Sequence, residues 1–165
     1  MNPAPHEPAP FVPIEELETV APRAIREALP VGGWRLELLW QLDLPVRMVS
    51  VRELEWLLDL PVWQAYGRHF AVSPRDVMAT PDVLSCQHAR TLLADLTYPI
   101  HLCLWQGRTV ILDGFHRLLK AVLIGRASLP AMELSATDLI SISRLPATTD
   151  NSPEPLMQSK TPTDI

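Results

Sequence analysis

The run Thr109-Val110-Ile111-Leu112-Asp113-Gly114-Phe115-His116-Arg117-Leu118-Leu119-Lys120-Ala121-Val122-Leu123-Ile124-Gly125 constrains this chain more than any other stretch. Its β-branched apolar start predicts a strand, Asp113-Gly114 a tight turn, and the residues from Phe115 a short helix that stops at Gly125. Asp113 is placed to cap that helix, Gly114 lets backbone approach a ligand closely, and the first-turn amides face whatever lies before them. Such a helix start favours an anion, because its N–H groups lack intrahelical partners and its dipole is positive at that end. Arg117 adds a side chain able to grip phosphate with two parallel bonds. The corner therefore points to phosphate or another oxyanion, although turn geometry alone would also select Asp-Gly.

Each polar residue near the corner carries two readings. His116 either works as a general acid or base near neutrality or donates one hydrogen bond to phosphate. Lys120, one helical turn beyond it, is either a third positive group or a solvated helix position. Glu53 and Glu55 follow an earlier strand, and one of them either deprotonates a hydroxyl substrate or serves as a helix cap and solvated face. His88 with Arg90, and His69 with Arg68, extend a nucleotide pocket or sit as surface polar groups. Trp63, Tyr66 and Phe70 stack on a base or pin a loop to the core.

The chain has 165 residues, enough for one domain with a real core once its Pro-rich ends are set aside. The expected organisation is a disordered arm over 1–13, a helical segment over 14–33, an α+β domain over 34–143 and a disordered tail over 144–165. A net charge of −5, with 14 basic residues scattered along the chain, gives no electropositive face, so direct DNA binding is not expected. Cys86 and Cys103 lack metal-ligand spacing and read as buried, inert thiols, and no metal site is expected. The start from Met1 to Pro13 has neither a basic end nor an apolar run, so no signal peptide is expected. No window offers the ~18 apolar residues of a membrane span, and a cytoplasmic location is expected.

Along the chain, Ile14 to Leu29 predicts helical segments broken at Pro22 and closed at Pro30. Trp34 to Leu44 fits a strand or a short helix equally. Val46–Val51 predicts a strand and Arg52–Leu58 a helix, with Ser50 and Glu53 as a capping box. Trp63 to Phe70 reads as a loop. Ser73-Pro74-Arg75-Asp76 is a helix start, and Thr80-Pro81-Asp82 begins another that runs to Leu93. Pro99–Trp105 and Thr109–Leu112 form a hairpin turned at Gly107, and Ala131–Leu134 closes the domain as a last strand.

This order of elements, with Asp113-Gly114-Phe115-His116-Arg117 and the later Leu129-Pro130, resembles the ParB/sulfiredoxin-like superfamily over roughly Val46 to Leu134. The resemblance implies a small mixed sheet wrapped by helices and a corner that holds nucleotide phosphates. The reactive cysteine of sulfiredoxins falls where this chain has Phe115, and a phenyl ring cannot attack a phosphoryl group. ParB proteins clamp CTP with an Arg-rich corner followed by a helix-turn-helix domain, whereas this chain has one Arg in the corner and an expected disordered tail. Nuclease activity, loosely attached to the superfamily, lacks a carboxylate cluster here. Free-serine kinases of the same fold share the Asp-Gly turn followed by Arg.

The resemblance thus implies a nucleotide- or phosphate-binding domain using Gly114, Phe115, His116, Arg117 and Lys120. Its enzyme form is a phosphotransferase or nucleotide hydrolase with Asp113, His116 and Glu53 as catalytic groups and Mg²⁺ bridging the phosphates of a nucleoside triphosphate or diphosphate. The alternative is a non-catalytic regulatory module that docks a protein partner. A second carboxylate near Asp113 and His116 would favour the enzyme. An exposed apolar patch around Trp34 and Trp40, with Phe115 closing the corner, would favour the module.

Overall fold

The computed structural model describes residues 4–143 apart from 11, 13–15 and 32, and the tail expected over 144–165 lies outside the described residues. Two short helices, α1 (Leu17–Val20) and α2 (Arg23–Ala28), break at Pro22 and are followed by α3 (Leu36–Leu39). Strand β1 (Val46–Ser50) runs directly into α4 (Val51–Leu54) and a 3-10 turn at Glu55–Asp59. A hairpin of β2 (Trp63–Ala65) and β3 (Arg68–Val72) precedes α5 (Pro74–Ala79) and α6 (Ser85–Leu93). Then come β4 (Ile100–Trp105), β5 (Arg108–Asp113), α7 (Phe115–Leu123), β6 (Ser128–Leu134) and α8 (Ala136–Ser141).

The fold is α+β, with a four-stranded mixed sheet in the order β1-β6-β4-β5. β4 and β6 are parallel, and the outer pairs are antiparallel. Strands β4 and β5 are buried on both faces, over Ile100–Cys103 and Val110–Leu112, and Ile100, Leu102, Ile111 and Leu129 share one core with Leu118 and Leu119 of α7 and Leu57 and Leu58 of the 3-10 turn. Ile25 of α2 and Leu39 of α3 are fully buried in that same core.

Local chemistry sets the ends of these elements. The β4–β5 turn places Gln106 and Gly107 at φ of 47° and 79°, the primed geometry whose twist matches a hairpin. Ser73 and Asp76 form a reciprocal capping box with Pro74 as the first residue of α5. At the far end of α7, the Gly125 N–H donates to Val122 O and the Arg126 N–H to Ala121 O, with Gly125 at φ 70°. That pair of bonds is the Schellman closure, and it is why the helix stops there.

Several expectations change. Trp63 to Phe70 is not a loop: Tyr66 and Gly67, at φ of 52° and 66°, make a second primed turn, and Phe70 at 48° absorbs the register shift between β2 and β3. The arm expected to be free lies along this hairpin over residues 4–10. There the Gly67 N–H donates to Glu7 O at 3.0 Å, and His69 Nε2 meets Pro10 O at 2.8 Å. One is a turn amide and the other a side-chain ring, and together they fasten the arm to the hairpin. Ser50 precedes α4 without using its hydroxyl as a cap, and α6 starts at Ser85, after a turn through Pro81–Leu84. Helix α8 was not foreseen, although Ser135 and Asp138 form a complete capping box. Cys86 is exposed rather than buried; Cys103 is buried, and burial, helped by Glu133, pushes its thiol up to about 11. No helix among the described residues is long and apolar enough to cross a membrane.

Candidate functional site

Strand β5 delivers Asp113 to the end of the sheet, and Gly114 turns the chain into α7. Gly114 is the N-cap residue at φ 124°, and a Cβ there would lie 2.5 Å from Ile100 Cγ2. Only glycine combines that backbone with so close an approach to β4. The turn leaves the backbone N–H groups of Phe115, His116 and Arg117 without a partner among the described residues, because no side chain caps α7 and its first backbone closure is Leu118 N–H to Gly114 O. They open on a cleft of about 750 Å³ whose walls include Trp40, Arg90, Tyr98, His101 and Asp113.

Asp113 does not cap the helix as expected. Its Oδ2 accepts from Arg117 Nη2 at 2.7 Å and from Trp40 Nε1 at 3.2 Å, and His101 Nδ1 stands 3.7 Å away. Burial pushes the Asp113 carboxyl upward, but His101, Arg117 and Trp40 outweigh it and hold the group below its usual range. All three neighbours converge on Oδ2, and no donor among the described residues is recorded on Oδ1.

Arg117 is correspondingly committed. Besides Asp113, its Nη1 donates to Pro99 O and to Tyr98 O, so it ties α7 to the approach of β4 and is not free to grip phosphate. Lys120 leaves the site as well: its Nζ donates to Leu92 O and Ala94 O, both at 2.7 Å, at the end of α6. Those carbonyls are the unpaired ones of a helix C-terminus, where a cation is favoured. Phe115 lines the cleft and packs against the core from its half-buried position, without closing the corner.

His116 stacks on Trp63 with ring centroids 4.2 Å apart and planes 15° from parallel, and its Nε2 meets Gln87 Oε1 at 2.9 Å. Burial first and then the charge of Arg90 push its pKa down to about 4, with Asp113 pulling the other way and Arg117 adding a smaller push downward. The ring is therefore neutral near pH 7, with Nε2 occupied, which suits a structural role better than proton transfer.

Glu53 is not brought to the corner. It lines a separate groove with Arg47, Trp56 and Arg108, the first residue of β5, whereas Asp113 stands at the far end of that strand. Of the polar residues weighed around the corner, Arg90 does reach the cleft, and it makes no hydrogen bond or ion pair among the described residues. Asp95 also lines the cleft, but its Oδ1 accepts from the Thr97 N–H and hydroxyl. Sequence reading missed His101, one of four successive buried positions of β4, and weighed Trp40 only as part of a docking patch, not as the 60 % exposed indole at the rim of this cleft.

A protein-held metal does not fit these side chains. No three His, Cys, Asp or Glu residues converge among those described, and the Oδ2 of Asp113 is already spent on Arg117 and Trp40. Comparison with family models, with curated proteins and with solved structures finds no match to this chain.

Proposed function

We propose that this protein binds a nucleotide, or a closely similar phosphorylated aromatic ligand, in the cleft at the start of α7, as a domain of ParB/sulfiredoxin type. The observation that carries this reading is the set of three unpaired N–H groups opening beside Arg90, a cation with no partner among the described residues. Amides that already point one way stabilise an anion without reorganising, and Arg90 adds charge and a forked contact. The rest of the cleft explains why the ligand is larger than phosphate. A volume of about 750 Å³ suits a nucleotide-sized molecule, and the exposed rings of Trp40 and Tyr98 offer faces for a base. Asp113 does not repel such a ligand, since Arg117 balances its charge.

Arg90→Ala, rather than a change at Arg117, is the informative variant, because it removes a free cation without uncovering Asp113. Melting with ATP, ADP, CTP and GTP in a magnesium-containing buffer should show a nucleotide-dependent rise in Tm. A ligand at a hundredfold excess over its Kd adds roughly 2.7 kcal/mol. In Arg90→Ala the affinity should fall about tenfold, the effect of losing one charge-assisted contact. No shift with any nucleotide overturns the reading and favours a protein-interaction module.

A further inference from the structure

Resting on the nucleotide reading, we propose that His101 is the proton acceptor of the cleft and Asp113 its positioning residue, serving a water or alcohol hydroxyl that attacks the terminal phosphoryl group of a nucleoside triphosphate. The two residues are cross-strand partners on β4 and β5, so the sheet itself holds them side by side. His101 is only 7 % exposed, and its Nδ1 is sealed from solvent with no hydrogen-bond partner. A buried polar atom left unmatched ordinarily costs on the order of 1–3 kcal/mol, so its retention calls for a reason.

The carboxylate supplies one. Asp113 Oδ2 lies 3.7 Å from Nδ1, and an ionised carboxylate there favours the tautomer with its proton on Nδ1, since a lone pair facing it would be repelled. That leaves the lone pair on Nε2. The ring lines the cleft, and Nε2 is neither hydrogen-bonded nor sealed among the described residues. Arg117 and Trp40 anchor Oδ2 so that the carboxylate cannot swing away. A base held by a third group, with a contact that tightens when substrate arrives, is the arrangement proton transfer needs. His116 is excluded from the role by its bond to Gln87 and its stack on Trp63.

The step balances. The hydroxyl oxygen forms a bond to the terminal phosphorus. The bond from that phosphorus to the bridging oxygen breaks, and its electron pair leaves with the nucleoside diphosphate. The hydroxyl proton passes to His101 Nε2 and from there to solvent. The α7 amides and Arg90 hold the phosphoryl oxygens meanwhile.

The experiment uses the full chain with ATP, CTP and GTP in magnesium-containing buffer, following diphosphate formation in water alone and with glycerol or ethylene glycol added. Wild type should form diphosphate. His101→Ala and His101→Gln should lower kcat by about a hundredfold or more while nucleotide affinity stays within about threefold, and added imidazole should restore part of the loss in His101→Ala. Asp113→Asn should lower kcat with KM little changed and without imidazole rescue, a split that a merely loosened fold would not produce. Binding without diphosphate formation in any arm overturns this inference and leaves the binding reading standing. Absence of binding overturns both. Folded His101 variants with full turnover also overturn it.

Discussion

His116 is the residue whose environment makes the plainest demand on solution behaviour. Its pKa is pushed down to about 4, from an ordinary 6.5, first by burial and then by Arg90. The unfolded chain therefore binds a proton that the folded chain refuses over that interval, and stability falls as the pH drops from about 6.5 towards 4. The full loss is on the order of 3 kcal/mol, at 1.36 kcal/mol for each pKa unit. Asp113 adds a loss of the same sign at lower pH, since its depressed carboxylate stabilises the fold above its ordinary range and ceases to do so on protonation. Urea midpoints between pH 7 and 4 should show the slope in wild type. His116→Phe, which keeps a ring on Trp63, should flatten it over that window. A residue-scale prediction of the other kind concerns Gly114→Ala. The new Cβ meets Ile100 side-chain carbons at 2.5 Å and 2.8 Å and forces an L-residue to φ 124°. The expected cost is about 3 kcal/mol or more by denaturant unfolding, read as a lower midpoint at an unchanged m-value.

At the scale of elements, two residues that looked like ligand groups prove to be fasteners. Lys120 closes the carbonyl end of α6, so Lys120→Met should cost about 1–2 kcal/mol of stability, measured by thermal melting, while leaving nucleotide affinity unchanged. The strand-turn-helix of β5 and α7 was legible in the sequence because every local signal there agreed: β-branched residues, an Asp-Gly turn, a helical apolar face and a terminal glycine. What Arg117 and Lys120 touch was not legible, since a long cationic side chain reaches its carbonyls through tertiary packing that spacing along one helix cannot encode. The β2–β3 hairpin escaped for a narrower reason. Its primed turn begins with Tyr66 in the left-handed region, where Asn or Asp is the usual signal. Glu53 was weighed as a base at the corner or as a cap and solvated face, and nothing in the sequence says that its helix start meets β5 at Arg108, the end away from Asp113. His101 was invisible for the complementary reason: its partner Asp113 is set by strand register, and register follows from the whole sheet.

The whole molecule raises the question of how far cooperativity extends. The sequence suggested a helical segment over 14–33 ahead of the α+β domain, yet Ile25 and Leu29 of that segment are buried in the cluster that holds Ile100, Ile111 and Leu118. Further along, Arg35 N–H donates to Ile142 O at 2.9 Å, joining the chain before α3 to the end of α8. Segments that share one dry core melt together, because opening either exposes apolar surface on both. Ile25→Ala should therefore lower global stability by about 2–4 kcal/mol, the usual cost of emptying a fully buried aliphatic site. Tryptophan fluorescence, dominated by indoles across the fold, and far-ultraviolet dichroism should report the same shifted midpoint, with one transition in each. If the segment were only an appendage, the variant would instead leave the main midpoint in place and lower a separate, earlier transition confined to the N-terminal helices. The distinction reaches the cleft through Trp40, which sits directly after α3 and donates to Asp113, so loosening this segment should also weaken the hold on the Asp113 carboxylate.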